Sequence, residues 1–592
     1  MTGFETFTEL VLHRTADLGD KDAFIFLHDN AAGSGAEHLS YTGLDAEAKR
    51  IASWLQAQGA EGGQVLLLYP SSADFVKAFT ACLYAGSVAV PAPLPGDQGH
   101  HFARVSGILR DAEVKAVLTD SANEPNISAW LREAGFTDVA CLATDLPGHG
   151  DAAAWKAPRL TPESLAFLQY TSGSTSSPKG VMVSHFNLLS NEAAIQRSAG
   201  SGADDRLGGW LPFYHDMGLI GHILQPLWLG SSAALMSPVS FLKRPLRWLQ
   251  MIDQYKVAIG GGPNFAFDLC VRRVTDEQLA TLDLSSWKVA CNGAEPVRAE
   301  TIRAFTERFA PAGFDPAAFF PCYGMAETTL LVSGTPYGQV PLVRQADIAA
   351  LELGTLREPA EGAPARTLVS SGVIQPQDFE VRIVDPQEHT ERPEGGVGEI
   401  WVKGDSVASG YWKRPETNKE IFQAVIEGGG DGPSGGWLRT GDLGVLENGQ
   451  LYVTGRLKEM ILINGRNIYP HDVERTVQAL DPALAPGNGA VFSVDTGEEH
   501  LVIVQEIKPN SPSAADLPAL AAQVRTLISK EFTVAGSVVL VKPGTIRKTT
   551  SGKLQRTLMR QLLIEGKLTP LHEVLEDGVK ALVDAAALAT VG

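Results

Sequence analysis

Apolar runs of strand length alternate with helical stretches through the first half of the chain, and this alternation limits the fold more than any other feature. Residues 65–69 (VLLLY) form a continuous apolar run, 73–84 repeat apolar side chains at helical spacing, and 87–90 are a second short run. Further runs follow at 116–118, 165–169, 233–236 and 257–260. Strands apolar on both faces and separated by helices belong to parallel sheets with helices on each side. The first half is therefore predicted to be α/β. Near the start, Thr6 and Glu9 have capping-box spacing ahead of a helix with Phe7, Leu10, Val11 and Leu18 on its apolar side.

From residue 378 the pattern changes. Runs at 379–384, 399–402 and 450–453 are short strands divided by Gly/Pro turns, a β-rich segment, and 428–436 is a glycine-rich exposed loop. After Arg456 the order is strand 460–463, helix 471–479, strands 490–494 and 501–506, helix 516–532 and strand 538–541. That suffices for an α+β domain, so a boundary is expected near Lys458. The chain divides into a large body at 1–457, with two parallel-type α/β sheets and a small β-rich subdomain at about 378–457, and a smaller C-terminal domain at 458–592.

Composition excludes several classes. The 592 residues carry a net charge of −19, which argues against wrapping nucleic acid or lying on anionic lipid and leaves room only for a local basic patch. Cysteines at 82, 141, 270, 291 and 322 are odd in number with no CxxC pair, so neither a disulfide scaffold nor a zinc ribbon is expected. Free thiols, the lack of a secretory h-region at the start and the uncharged run 78–96, broken by Gly86, Pro91, Pro93 and Pro95, predict a cytoplasmic protein with no integral membrane segment.

The strongest chemical signal follows the run 165–169. Residues 170–180 read YTSGSTSSPKG, a loop of hydroxyls, glycines and one lysine. Backbone N–H groups, hydroxyl donors and a cation are the parts that hold a polyphosphate. The loop is not a Walker A sequence, because Lys179 precedes Gly180 and not serine or threonine. A Ser/Gly linker is the alternative, but it has no use for a fixed Pro-Lys-Gly ending.

Other residues read less singly. Glu327 is a lone carboxylate suited to Mg²⁺, which takes one or two carboxylates with phosphate oxygens; a helix-surface glutamate is the plainer reading. Asp442, in a Thr-Gly-Asp turn, can accept both ribose hydroxyls or simply form the turn. Lys553 stands among Arg547, Lys548, Arg556 and Arg560, either a solvated cationic stretch or a cluster with work to do at an anion. In GGGPNFAF at 260–267, small residues beside two aromatics, including Gly262, Pro263, Asn264 and Phe265, could wall an apolar tunnel; a tight strand-to-helix turn explains the glycines equally well.

The loop 170–180 resembles the phosphate-binding signature of the adenylate-forming superfamily. Further matches follow in the family's order: LPFYHDMG at 211–218, NGAEP at 292–296, CYGMAET at 322–328, GEIWV at 398–402, GWLRTGDL at 436–443, GRLK at 455–458, Tyr469-Pro470 and SGK at 551–553. The first 160 residues match only in pattern. The resemblance implies that Thr171, Ser172, Gly173, Ser174, Thr175 and Lys179 hold the ATP phosphates. It implies that Asn292, Gly293, Ala294, Tyr323, Gly324, Met325 and Thr328 line the nucleotide site, with Tyr323 stacked on adenine. Asp442 and Arg456 would hold ribose or phosphate, Glu327 would ligate Mg²⁺, Lys553 would reach the α-phosphate, and Lys458 would be the hinge of a mobile C-terminal lid. His215 would border the acyl channel; a capped core histidine is the other reading.

Within that superfamily, the Ser-Gly-Ser-Thr-Ser-Ser-Pro-Lys loop, LPFYHDMGLI and an insertion-like stretch at about 335–368 are similar to the fatty acyl-AMP ligases. There the insertion restrains the C-terminal domain and disfavours the coenzyme A step. The implied reaction joins a medium- to long-chain fatty acid and MgATP to give acyl-adenylate and pyrophosphate. The acyl group then passes to the phosphopantetheine thiol of a holo acyl carrier protein or carrier domain. Carrier proteins are typically acidic, which would give 547–560 a docking role. A long-chain acyl-CoA synthetase, a nonribosomal peptide adenylation domain and a catalytically silent nucleotide-binding protein are the alternatives.

Overall fold

A computed structural model of the protein describes residues 3–28, 35–95, 99–171, 178–363, 365–428, 435–463, 466–549 and 553–589. The first sheet has the strand order Ala140–Ala143, Ala116–Thr119, Gln64–Tyr69, Val88–Pro93, Leu165–Thr171 and Lys179–Ser184. Its first five strands are parallel and the last returns antiparallel. Every residue of Gln64–Tyr69 is buried, which is why that strand reads as continuously apolar. The helix Ala73–Ala85 packs against it and stops at Gly86, whose left-handed φ of 70° closes the last turn.

The second sheet runs, among the described residues, through thirteen strands. Its centre is parallel: Asp22–Leu27, Ala233–Leu235, Leu207–Gly209, Ile259–Gly262, Val289–Asn292 and Phe319–Gly324. Beyond Phe319–Gly324 it becomes antiparallel through Leu331–Gly334, Val373–Ile374, Gln450–Arg456, Leu438–Glu447, Gly398–Gly404 and Phe379–Val384. The β-rich segment is thus hydrogen-bonded into the second sheet, through the pair Val373 and Gln450. The strand expected at 257–260 lies at Ile259–Gly262. The first helix starts with half a capping box: the Thr6 hydroxyl accepts from Glu9 N–H, while the Glu9 carboxylate accepts from Glu5 N–H and not from Thr6.

Phe75, Phe79, Phe167 and Phe213 interlock in the core of the body. A second aromatic core of Trp248, Trp287, Phe267 and Phe305 lies under the acyl-wall segment. The elements after Arg456 build cores of their own. A four-stranded sheet, Leu484–Asp495, Glu499–Ile507, Gly536–Val541 and Pro570–Val574, carries helices Pro470–Leu480 and Leu517–Phe532 on one face and Arg556–Ile564 on the other. In the stretch expected to be an insertion, strands Val343–Asp347 and Ala365–Val369 pair antiparallel with the short helix Ile348–Glu352 between them. Among the described residues, no helix is long and apolar enough to cross a membrane.

Candidate active site

Parallel strands of both sheets end at one crevice, the place where open α/β folds hold ligands. The first sheet brings Thr171 at the end of Leu165–Thr171 and Lys179 at the start of the return strand. The expected phosphate-loop residues Ser172, Gly173, Ser174 and Thr175 lie outside the described residues. From the second sheet come Gly262, Asn292 and Gly324, each the last residue of its strand. Asn292 is fully buried and neither polar atom of its side chain has a partner. An unmet buried amide costs about 1–3 kcal/mol, a cost that a hydrogen-bonding ligand would remove. Close backbone approach explains two glycines: a Cβ on Gly261 would stand 2.1 Å from the Cys291 carbonyl oxygen, and one on Gly324 1.7 Å from that of Leu330. Gly293 packs against the Cys322 thiol, and Ala294 holds a left-handed φ of 65°, a conformation that costs a non-glycine residue about 1–3 kcal/mol and collects at functional sites. Thr328 is buried and donates its hydroxyl to the Met325 carbonyl at 2.9 Å.

One corner is built by two facing strands. Asp442 of Leu438–Glu447 stands directly opposite Arg456 of Gln450–Arg456. Its Oδ1 accepts from Arg456 Nε at 2.9 Å and its Oδ2 from the Tyr323 hydroxyl at 2.9 Å. Asp442 is the chief cause that raises the Arg456 pKa, and burial holds the Tyr323 hydroxyl protonated. A diol arriving here would meet a carboxylate already fixed in place.

A second corner centres on Glu327, which is 7% exposed. Tyr411 donates its hydroxyl to Glu327 Oε1 at 2.7 Å, and the Lys179 amine lies 5.0 Å over the Tyr411 ring. The Tyr411 segment is tied to the phosphate strand by Met182 N–H to Gly410 O and Trp412 N–H to Gly180 O, at 2.9 and 2.8 Å. Asp111 braces the same place, accepting from the Tyr170 hydroxyl at 2.7 Å and pairing with Arg414. Burial pushes the Glu327 carboxyl above its ordinary value. Among the described residues no lysine or arginine pairs with it. A buried anion of this kind, fixed by one donor, fits a divalent cation that also binds phosphate oxygens.

The C-terminal unit reaches the crevice through Lys553, whose carbonyl accepts from Thr549 N–H at 2.7 Å. Burial lowers the Lys553 pKa, and Asp216, Asp442 and Glu295 oppose that shift. Asp216 lies 2.6 Å from His215 Nδ1 and accepts from Met217 N–H at 2.7 Å. Burial alone would raise its carboxyl, but His215 and Lys553 bring it down to about 2. His215 is partly exposed.

On the acyl wall, Gly262 lies under the Trp210 ring, which stacks on Phe241 at 3.9 Å and meets Phe265 edge-on at 6.0 Å. Pro263 precedes the helix Asn264–Arg273 as its N-cap. Asn264 turns its amide away, donating to the Thr301 hydroxyl at 2.9 Å and accepting from Arg298 N–H at 3.0 Å. Glu295 accepts from Phe265 N–H at 2.7 Å, so the nucleotide loop 292–296 and the acyl wall are bolted together.

Lys458 is exposed in the turn after Arg456. Nearby, the stretch 343–369 grips the C-terminal unit. Glu352 pairs with Arg466 at 2.7 Å and its carbonyl accepts from Asn467 at 3.1 Å. Arg366 is 7% exposed. It donates to the Thr454 carbonyl at 2.8 Å and to His471 Nε2, pairs with Asp472 at 3.3 Å and lies over the Tyr469 ring. Burial holds His471 down to about 3, which keeps Nε2 free to accept.

The sequence alone assigns no role to Tyr411, Asp216, Glu295 or Arg366. Asp216 and Glu295 stand inside the motifs LPFYHDMG and NGAEP, which was the available signal. Tyr411 is 84 residues from Glu327, and no spacing joins them.

Two sequence profiles match the chain: one described as AMP-binding enzyme over residues 12–412, and one described as Disco-interacting protein 2-like, AMP domain, over 458–573. A medium-chain-fatty-acid–[acyl-carrier-protein] ligase of Moorena producens is 40% identical over 95% of this chain and 96% of its own. A long-chain-fatty-acid–AMP ligase of Mycobacterium marinum is 39% identical over 91% of this chain and 93% of its own. A fatty acyl-adenylate ligase of Legionella pneumophila, solved with acyl adenylate and pyrophosphate, superposes with a TM-score of 0.74 at 36% identity, covering 97% of this chain and 98% of its own.

Proposed function

Since the chain belongs to the AMP-binding enzyme family and within it to the fatty acyl-AMP ligases, we propose that it activates a medium- to long-chain fatty acid with MgATP and passes the acyl group to a holo acyl carrier protein or carrier domain. One carboxylate oxygen of the fatty acid attacks the α-phosphorus, the bond to the bridging oxygen breaks, and pyrophosphate leaves. The carrier thiol, losing its proton, then attacks the acyl carbon and AMP departs, leaving a thioester.

The residues divide this work. Thr171, the loop 172–175 and Lys179 hold phosphates, Asn292 and Tyr323 hold the base, and Asp442 with Arg456 holds the ribose. The acyl chain lies along Gly262, Pro263 and Phe265 beside Trp210, and His215 stands at the mouth of its channel. Glu327, oriented by Tyr411, would hold Mg²⁺, which supplies charge neutralisation of the phosphates when bound. Lys553 steadies the charge that develops at the α-phosphate. Gathering both reactants in one crevice can contribute about 7–11 kcal/mol. The chain divides at 1–457 and 458–592 with Lys458 as the hinge, and the stretch at about 335–368 restrains the C-terminal unit against use of coenzyme A. A cytoplasmic site suits the five free thiols, and the net charge of −19 speaks against a nucleic-acid partner.

Lys553 is the observation that carries this reading: a lysine of the C-terminal unit lies within the field of Asp216, Asp442 and Glu295 of the large body. The test is product analysis by mass spectrometry with fatty acids of graded length, ATP and either holo-carrier or coenzyme A. Acyl-adenylate and acyl-carrier are expected; efficient acyl-CoA formation would overturn the carrier assignment. Lys553→Ala should lower adenylate formation by orders of magnitude with ATP binding nearly intact.

A further inference from the structure

The helix Gly99–Ala112 lies along the phosphate side of the crevice and turns one face toward it. Residues 104, 107 and 111 fall within about 60° of one another around a helix axis, so they share that face. Asp111 is fixed there by the Tyr170 hydroxyl at 2.7 Å and by Arg414. Gly107 lies against the ring before Lys179: a Cβ on it would stand 3.4 Å from Pro178 Cγ. Arg104 comes about 4.5 Å further along the same face, past Pro178 and within electrostatic reach of Tyr214. The Tyr214 carbonyl accepts from Gln169 Nε2 at 2.8 Å, which places Tyr214 beside the end of strand Leu165–Thr171. Arg104 therefore stands at the lip of the crevice, next to the strand ends that bring Thr171 and Lys179.

Arg104 is half-buried, and among the described residues no carboxylate or carbonyl pairs with it. Burial disfavours its charge. A guanidinium withdrawn from water without an anion is costly to hold. The cations around it have partners of their own: Arg414 pairs with Asp111, Lys413 pairs with Glu113, and Arg110 lies over the Phe136 ring. The acyl wall and the ribose corner are both built by the second sheet, whereas Arg104 and Lys179 belong to the first. Of the anions that enter the crevice, the one on this side is the end of the polyphosphate remote from the ribose.

We infer that Arg104 binds the terminal phosphates of ATP, the part that departs as pyrophosphate, together with Lys179. The inference rests on the adenylation reading above. When the fatty-acid oxygen bonds to the α-phosphorus, the bond from that phosphorus to the bridging oxygen breaks and its electron pair stays on pyrophosphate. A guanidinium meets such an oxyanion with a planar fork of N–H donors, and a cation already in place stabilises the charge as it forms.

The test uses the full-length enzyme and Arg104→Gln, with MgATP and AMP as probes in calorimetry and with ATP–pyrophosphate exchange. AMP shares every group of ATP except the terminal phosphates, so it reports folding and the rest of the nucleotide site. The expected result is an affinity for MgATP lowered tenfold or more and a KM for pyrophosphate raised tenfold or more, with AMP affinity within twofold of the parent. MgATP affinity within twofold of the parent would overturn the inference, even if transfer to a phosphopantetheine thiol suffered, because the arginine would then serve the phosphate of that arm. Equal weakening of MgATP and AMP would overturn it as well. Should Arg104→Gln bind neither nucleotide, Arg104→Lys decides by the same comparison. A parent that binds MgATP but exchanges no pyrophosphate with any fatty acid would instead overturn the adenylation reading and leave the comparison of MgATP with AMP to judge Arg104.

Discussion

Tyr411 donates its hydroxyl to Glu327 Oε1 at 2.7 Å while its ring lies under the Lys179 amine, so one side chain sets both the anion and the cation of the phosphate corner. Tyr411→Phe keeps the ring and deletes the donor. Hydrogen bonds to charged groups contribute about 1.5–3 kcal/mol. The Mg²⁺ concentration for half-maximal adenylate formation should rise at least about tenfold. An unchanged Mg²⁺ requirement would remove the hydroxyl from the site.

Lys553 has its pKa lowered by burial, and Asp216 is the leading opposing influence. Lys553 must be charged to act, so adenylation falls as pH rises through that lowered pKa. Asp216→Asn removes an anion and lowers it further. The alkaline limb of kcat/KM for adenylate formation should therefore move to lower pH in Asp216→Asn; a limb that stays put would show that Asp216 does not act through the lysine.

Arg366 and Glu352 tie the stretch 343–369 to Tyr469, His471, Asp472 and Arg466 of the C-terminal unit. Arg366→Ala together with Glu352→Gln leaves the crevice untouched and frees that unit. Acyl-CoA formation should increase severalfold at constant adenylation, read by mass spectrometry with coenzyme A as acceptor. Constant acyl-CoA would mean that these contacts do not gate the thiol step.

Glu192, in helix His185–Ala199, is wholly buried; one carboxyl oxygen faces the Gln225 amide and the other has no partner. Burial raises its pKa well above the ordinary value. A carboxyl raised by folding stabilises the fold while protonated: that stability is whole below the unfolded pKa and is lost as pH rises through the folded one. Glu192→Gln cannot ionise, so it should melt above the parent at pH 8, by roughly 1 °C per kcal/mol recovered, and match it near pH 4. Equal melting curves at pH 8 would contradict this.

The parallel body and the β-rich segment were readable because buried strands must be apolar on both faces; Phe379–Val384 lies at its expected bounds. Ile259–Gly262 lies two residues beyond expectation, because its glycines are dictated by the Cys291 carbonyl pressed against Gly261 and not by side-chain preference. Asp442 and Arg456 were legible as motif members, but that they face each other is a matter of register. Tyr411 and Arg366 were not legible, since each acts on partners brought near only by the folded sheet.

Some strands of that sheet have partners far along the chain. Asp22–Leu27 pairs with Ala233–Leu235, and Val373 with Gln450. A ribosome delivers these strands in chain order, so early strands wait with open edges for partners not yet made. The ribose corner is complete only once Arg456 has emerged, and Lys553 comes later still. The protein is thus born as a long inert chain, and its catalytic power arrives as a single late event of synthesis.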